Sequence, residues 1–222
     1  MSKHPMIKTT ALAAVALLLT TLVAACGESA TTETRSGPEE LPAGVDREDL
    51  ATAVFAAGCF WCVEEAFDPV PGVVKTTSGF IGGQLADPTY KEVVAGDTGH
   101  TEAVEVLYDP EKSSYDELLT VFWRNVDPTD AGGQFCDRGS QYRSGIFYTN
   151  DPQKAQATAS KKALQQDPDA PSPIVTEITE AGPFYMAEQY HQNYYQKNPV
   201  RYNFYKTACG RADRLEALWG PK

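Results

Sequence analysis

Cys59 is the residue best placed to do chemistry in this chain. It follows an apolar run, Ala51 to Ala57, that reads as a buried strand, and Gly58, which supplies a tight turn. From Cys59 onward Val63, Ala66 and Phe67 recur at helical spacing around Glu64 and Glu65, and the pattern stops before Pro69. A cysteine on the first turn of that helix meets unpaired backbone N–H groups and the positive end of the helix dipole. Both favour thiolate over thiol, so its pKa is expected to fall and its sulfur to act as a nucleophile. The bland alternative is a buried, inert core cysteine.

A second group with chemical potential is Glu102. Glu102 to Tyr108 alternates cleanly, and Glu102 shares strand parity with Val104, Val106 and Tyr108. It should therefore point inward, where burial raises a carboxyl pKa and keeps a proton available for donation. Parity alone leaves an exposed strand-end glutamate equally open. The other domain cysteines, Cys62, Cys136 and Cys209, form neither a small-domain disulfide framework nor the two close pairs of a ribbon-type zinc site. With three histidines, His4, His100 and His191, no metal site is expected.

The elements that must hold these residues are readable in outline. Val73 to Ile81 reads as a strand closed by Gly82-Gly83. Ser114 and Glu117 make a capping-box pattern, followed by a helical stripe of Leu118, Leu119, Phe122 and Trp123 that ends at Asp127-Pro128. Residues 129–144 read as a long loop, Gly145 to Thr149 as a strand, and Asn150-Asp151-Pro152 as a helix start. Ile174 to Ile178 reads as a strand, 184–205 is crowded with tyrosine and phenylalanine, and Arg211 to Trp219 suits a short last helix. Strands and helices intermix without a regular βαβ repeat. The predicted class is α+β: one domain, 51–222, with a central mixed sheet flanked by helices, a ferredoxin-like two-layer core, long loops and an irregular C-terminal tail.

Composition narrows the partners. The chain has 222 residues, 42% hydrophobic and 22% charged, which is globular composition. Its net charge of −11 comes without a basic cluster, so nucleic acid is not an expected partner. Residues 1–25 carry Lys3 and Lys8 and then an uncharged run, ending Leu22-Val23-Ala24-Ala25-Cys26. This resembles the lipobox of bacterial lipoproteins and implies a cleaved signal peptide with lipid on Cys26. Residues 26–50, rich in Thr, Glu, Gly and Pro, read as a flexible tether. The implied location is the periplasmic or extracytoplasmic face of a bacterial envelope membrane, with contact through the lipid anchor only.

Five separated motifs carry a more specific resemblance. They are Gly58-Cys59-Phe60-Trp61-Cys62-Val63-Glu64, Pro88-Thr89-Tyr90, Gly96 through Val104 (GDTGHTEAV), Asp137 through Ser144 (DRGSQYRS), and Tyr190-His191-Gln192. Together, in this order, they resemble A-type peptide methionine sulfoxide reductases. The resemblance implies that Cys59 attacks the sulfoxide sulfur and that Glu102 protonates the departing oxygen. It implies that Tyr90 and Tyr142 hold that oxygen by uncharged hydrogen bonds, and that Phe60 and Trp61 shape an apolar pocket for the S-methyl group. Asp137 falls near the bound substrate, and His191 suits a structural hydrogen bond rather than a base.

The resulting Cys59 sulfenic acid would condense with a second cysteine, and an external dithiol would reduce the disulfide. Cys209, near the C-terminus as in many members, is slightly preferred as that partner over Cys62, with Cys136 last. The commoner family form is GCFWG, so Cys62 is a departure. No cofactor is implied; the substrates are free or protein-bound methionine S-sulfoxide, the reductant a thioredoxin-like protein, the role repair of oxidised exported proteins, and the state a monomer. The rivals are a thioredoxin-like dithiol–disulfide oxidoreductase using Cys59 and Cys62, and a binding module built on the aromatic 184–205 stretch.

Overall fold

The strand that feeds the Gly58 turn lies inside a six-stranded sheet in the computed structural model, which describes Met1 and residues 41–221. The expectations for residues 1–25, for 26–40 and for lipid on Cys26 lie outside the described residues. In chain order the elements are β1 (Ala51–Ala57), α1 (Phe60–Phe67), β2 (Val73–Ile81), α2 (Tyr90–Ala95), β3 (Thr101–Tyr108), α3 (Tyr115–Arg124), β4 (Gly133–Gln134) and β5 (Asp137–Arg138). There follow β6 (Ser144–Tyr148), α4 (Asp151–Gln166), β7 (Glu177–Glu180), β8 (Tyr185–Met186), α5 (Tyr194–Lys197), α6 (Pro199–Ala208) and α7 (Arg211–Trp219).

The sheet order is β7-β6-β1-β3-β2-β8. Its four central strands, read with α1 and α3, give the split βαβ arrangement of ferredoxin-like folds. β7 runs parallel to β6 and the other neighbours are antiparallel, so the sheet is mixed. Ala53, Phe55 and Ala57 of β1 and Val104, Val106 and Tyr108 of β3 join one buried cluster with Phe67, Leu118, Leu119 and Phe122 of the helices. The Phe55 ring stacks on Phe67 at 4.9 Å and on Phe122 at 5.4 Å. Each such fully buried side chain contributes roughly 1.5–3 kcal/mol relative to exposure. The opposite parity, Val54, Ala56, Ile81, Ala103 and Phe147, forms a smaller cluster on the other face. α3 starts as its capping box requires: the Ser114 hydroxyl accepts from the Glu117 N–H, and the Glu117 carboxylate accepts from the Ser114 N–H.

Several elements differ from the sequence pattern. The 129–144 stretch contains the two-residue hairpin β4–β5 and a 3-10 turn at Ser140–Tyr142. β7 starts at Glu177, although Ile174 is buried. The C-terminal region, expected to be irregular before its last helix, is largely helical. Pro199 sits in the first turn of α6, where its missing N–H costs nothing, and Gly210 at φ 67° separates α6 from α7. Val200 and Phe204 of α6 are 84% and 76% exposed while Tyr202 is buried, so hydrophobic pattern and burial disagree there. Before β1, Asp46 caps a 3-10 turn at Arg47–Asp49, and the Arg47 guanidinium donates to Thr52 Oγ1 at 3.0 Å. Among the described residues no helix is long and apolar enough to cross a membrane.

Candidate active site

Gly58 turns the chain at φ 79°, and a Cβ there would lie 2.6 Å from the Cβ of Gln134. Gln134 is itself fixed, accepting from the Asp127 N–H and donating to the Asp127 carbonyl. Only glycine fits this turn, and it delivers Cys59 to the N-cap of α1, 5% exposed. The Cys59 side chain does not cap the helix. Instead the next amide, Phe60 N–H, donates to Glu102 Oε2 at 3.0 Å. Glu102 lies on β3 opposite Phe80 of β2 and is 2% exposed, as strand parity predicts. One peptide unit therefore ties the candidate nucleophile to the candidate acid.

Burial pushes the Glu102 carboxyl well above its ordinary range; the Phe60 bond opposes this in part. The shift favours the proton-bearing form of the carboxyl. The thiol behaves differently from the sequence expectation. Burial, the hydrogen bond to Cys62, and the negative fields of Cys62 and Glu102 raise the Cys59 pKa well above its usual value, against a lowering contribution from Tyr205. A helix start favours a fall. Here the sulfur sits out of water beside Cys62, which outweighs the helix end, and Glu102 takes the first amide of the helix. The low pKa belongs to Cys62, drawn down to about 6 by the hydrogen bond from Cys59, with help from the Arg211 guanidinium and the Tyr202 hydroxyl against burial. The pair holds one proton between two sulfurs.

Tyr90, Tyr142 and Asp137 converge on these groups from three other segments. The capping box of Thr89 and Glu92 starts α2, placing Tyr90 on its first turn, and the Tyr90 N–H donates to Glu188 Oε1 at 2.9 Å. Tyr142 closes the 3-10 turn and Asp137 opens β5. Burial raises the pKa of both tyrosines, and the fields of Glu102, Cys59 and Asp137 act on each. Both phenols keep their protons and remain donors. Asp137 is itself raised by burial, against Tyr205 and Arg211.

The Phe60 ring lies 6.2 Å from Tyr90 and 5.0 Å from His191. Trp61 stacks on Tyr194 at 3.8 Å and its indole N–H donates to His191 Nδ1 at 3.1 Å. Burial lowers His191 to about 4, so it is neutral, and its hydrogen bond is structural. His100 is likewise engaged, accepting from the Gly83 N–H and bonding the Leu85 carbonyl.

Comparison with known proteins decides the family. A protein-family model described as peptide methionine sulfoxide reductase matches residues 51–222. Peptide methionine sulfoxide reductase MsrA of Bacillus subtilis is 50% identical over 177 residues, 80% of this chain and 99% of that protein. The chain belongs to this family, in its A type. MsrA of Listeria monocytogenes is also 50% identical, over 78% of this chain and 98% of that one. Among solved structures, methionine sulfoxide reductase A of Corynebacterium diphtheriae superposes with a TM-score of 0.63 at 38% identity, covering 71% of this chain and 80% of that one. Mxr1 of Saccharomyces cerevisiae in reduced form gives 0.64 at 33% identity, covering 69% and 88%.

Within this reductase fold the cysteines are sorted differently from the sequence preference. Cys136 and Cys209 form a disulfide with a Cα–Cα distance of 5.0 Å, while Cys59 and Cys62 are free and buried. Cys209, ranked first as the resolving thiol, is already bonded; Cys136, ranked last, is its partner. The tyrosines that sequence reasoning missed come from α6. The Tyr205 hydroxyl donates to Asp137 and reaches Cys59, and the Tyr202 hydroxyl donates to Glu65 Oε2 at 2.7 Å and reaches Cys62. The aromatic crowding of 184–205 was the available signal, but which tyrosines turn inward depends on α6, a helix that the sequence pattern did not show.

Proposed function

We propose that this chain reduces methionine S-sulfoxide, free or in proteins, to methionine. The carrying observation is the 3.0 Å bond from the Phe60 N–H to buried Glu102, which seats a proton-holding carboxyl beside Cys59. Transfer of the shared proton to Cys62 frees the Cys59 thiolate, which attacks the sulfoxide sulfur. Glu102 protonates the oxygen, which Tyr90 and Tyr142 hold; Phe60 and Trp61 receive the S-methyl group, and Asp137 orders the polar side. Methionine leaves and the oxygen stays on Cys59 as a sulfenic acid. Cys62 then attacks Cys59, a disulfide forms and water departs. A thioredoxin-like dithiol returns both sulfurs to thiols by exchange.

Cys62 is assigned the resolving role because it is the free thiol hydrogen-bonded to Cys59. The test is turnover of each sulfoxide epimer with dithiothreitol, and with a thioredoxin-like protein for Cys62→Ser. One methionine per Cys62→Ser chain, without recycling by the protein donor, is the expected result; equal turnover of both epimers would sink the A-type assignment. The free Cys59/Cys62 pair also suits a general dithiol–disulfide oxidoreductase. That reading requires disulfide exchange that survives Glu102→Gln.

We further infer export, cleavage before Cys26 and lipid attachment there, supported by the residues from Thr9 to Cys26. The tethered monomer would repair oxidised envelope proteins. Mass spectrometry of the mature N-terminus tests the anchor: a free, unacylated terminus at any other residue overturns it.

A further inference from the structure

We propose that Arg211 is a positioning residue for the second half of the cycle: its guanidinium holds Cys62 as the thiolate that attacks the Cys59 sulfenic acid. The inference rests on Cys62 as the resolving thiol.

Arg211 opens α7 and is 4% exposed. A buried cation is costly unless a nearby anion offsets its desolvation. Yet the hydrogen-bond partners of Arg211 are neutral. Its Nη1 donates to the Ala57 carbonyl at 3.2 Å and its Nη2 to the Asn125 carbonyl at 2.5 Å, while the guanidinium lies over the Phe135 ring at 4.3 Å. Among the described residues no carboxylate is paired with it. The neighbouring acids have closer partners: Glu65 has Lys206 and Tyr202, Asp127 has Arg214, and Asp137, which feels the Arg211 field without bonding to it, has the Tyr205 hydroxyl. Arg211 and Cys62 share the wall of one cavity of about 510 Å³. The anion this arrangement provides for is sulfur.

The groups that face Cys62 make the same point. α1 contributes Cys59 and Glu65, β3 contributes Glu102, and α6 contributes Tyr202, with Lys206 neutralised by Glu65. Arg211 from α7 is the cation among them that no carboxylate neutralises. Its field supports the lowered pKa of Cys62. In the step it serves, Cys62 gives up the proton it took from Cys59, its sulfur supplies the electron pair of the new S–S bond, the S–O bond of the sulfenic acid breaks, and one proton leaves with the oxygen as water.

The two carbonyl bonds also fasten α7 to the ends of β1 and α3, so a purely structural role must be separated from a charge role. Arg211→Gln removes the charge and can keep a carbonyl bond; Arg211→Lys keeps the charge with a different bonding geometry. In a Cys59→Ser background, the pH midpoint for alkylation of Cys62 by iodoacetamide is expected to rise by about 1–3 pH units in Arg211→Gln. It should stay within a few tenths of a unit in Arg211→Lys. In the enzyme with Cys59 intact, the single-turnover yield of methionine should hold in Arg211→Gln while disulfide formation slows by about tenfold or more. An unmoved midpoint in Arg211→Gln, or equal shifts in both variants, overturns the proposal. If Arg211→Gln does not fold, a large shift in Arg211→Lys overturns it and an unmoved midpoint there supports it. Recycling by a thioredoxin-like protein that persists in Cys62→Ser would instead overturn the resolving role itself.

Discussion

The two cysteine pairs occupy opposite environments. Cys59 and Cys62 lie within one turn of α1, both buried, next to a carboxyl that keeps its proton. Cys136 and Cys209 are 73 residues apart, one exposed and one half-buried, and already joined. The first pair is local in sequence and depends on the sheet for its electrostatics. The second is remote in sequence and links the β5 hairpin, which carries Asp137, to the end of α6, which carries Tyr205. Sulfur chemistry is therefore set by surroundings rather than by residue type: water exclusion and one shared proton make a reactive dithiol, and chain closure near the surface makes a staple.

The sharpest attack on this contrast is at the buried pair. Cys59→Ser should abolish sulfoxide reduction, a loss on the order of 10,000-fold or more in kcat/KM. Glu102→Gln should lose about 100- to 10,000-fold, the range for a removed general acid, while Cys59 remains alkylatable. The sign of the pH effect follows from the raised Glu102 pKa: the donor form dominates below that pKa, so wild-type activity falls on the alkaline side as the proton is lost. Glu102→Gln should lack that limb. A Glu102→Gln enzyme with wild-type kcat would show that the oxygen gets its proton elsewhere.

Breaking the other pair should be a matter of stability. Closing a loop of this length restricts the unfolded chain by about 4 kcal/mol in the chain-entropy account. The Cys136→Ser/Cys209→Ser double variant is expected to melt about 10 °C or more below wild type, and to retain sulfoxide turnover with dithiothreitol below its melting range. Calorimetry and a turnover assay on the same sample check both halves. If the double variant still releases one methionine per chain but no longer recycles with a thioredoxin-like protein, the surface pair is a redox relay and the contrast collapses.

Much of the buried site was legible because it is local. β1 and β2 coincide with the runs read as strands and α7 with the stretch read as a last helix, Gly58 marked the turn, and alternation together with the family motif pointed Glu102 inward. What was illegible is tertiary. The direction of the Cys59 pKa reversed because the fold takes the thiol out of water and sets it beside Cys62 and Glu102, the last tied to the Phe60 amide from 42 residues away in sequence. The Cys136–Cys209 bond needs the β5 hairpin and the α6–α7 junction to meet, and neither shows a periodicity that says so. Tyr202, Tyr205 and Arg211 carried no local signal because α6 and α7 come to the site by docking on α1 and the end of β1.

The last break in the comparison tests whether the buried region alone responds to pH. Glu64, on the same helix as the dithiol, is 0% exposed, and its carboxylate accepts the Asn193 N–H at 3.1 Å. Burial pushes its pKa up to about 8, whereas an unfolded glutamate titrates near about 4.3. A raised acid pKa means that the folded state binds the proton more tightly. That contribution to stability is complete below about pH 4.3 and is lost as pH rises towards 8. Glu64→Gln removes the titration while keeping an acceptor for Asn193. Its melting temperature should fall less than that of wild type between pH 5 and 9, by up to about 10 °C, with the variant gaining ground at the alkaline end. The same difference should persist in the Cys136→Ser/Cys209→Ser background, because Glu64 acts through the turn that carries Asn193 and not through the surface disulfide. Parallel slopes for Glu64→Gln and wild type would show that water reaches this carboxyl, and with it that the dithiol helix is less dry than its low exposure implies.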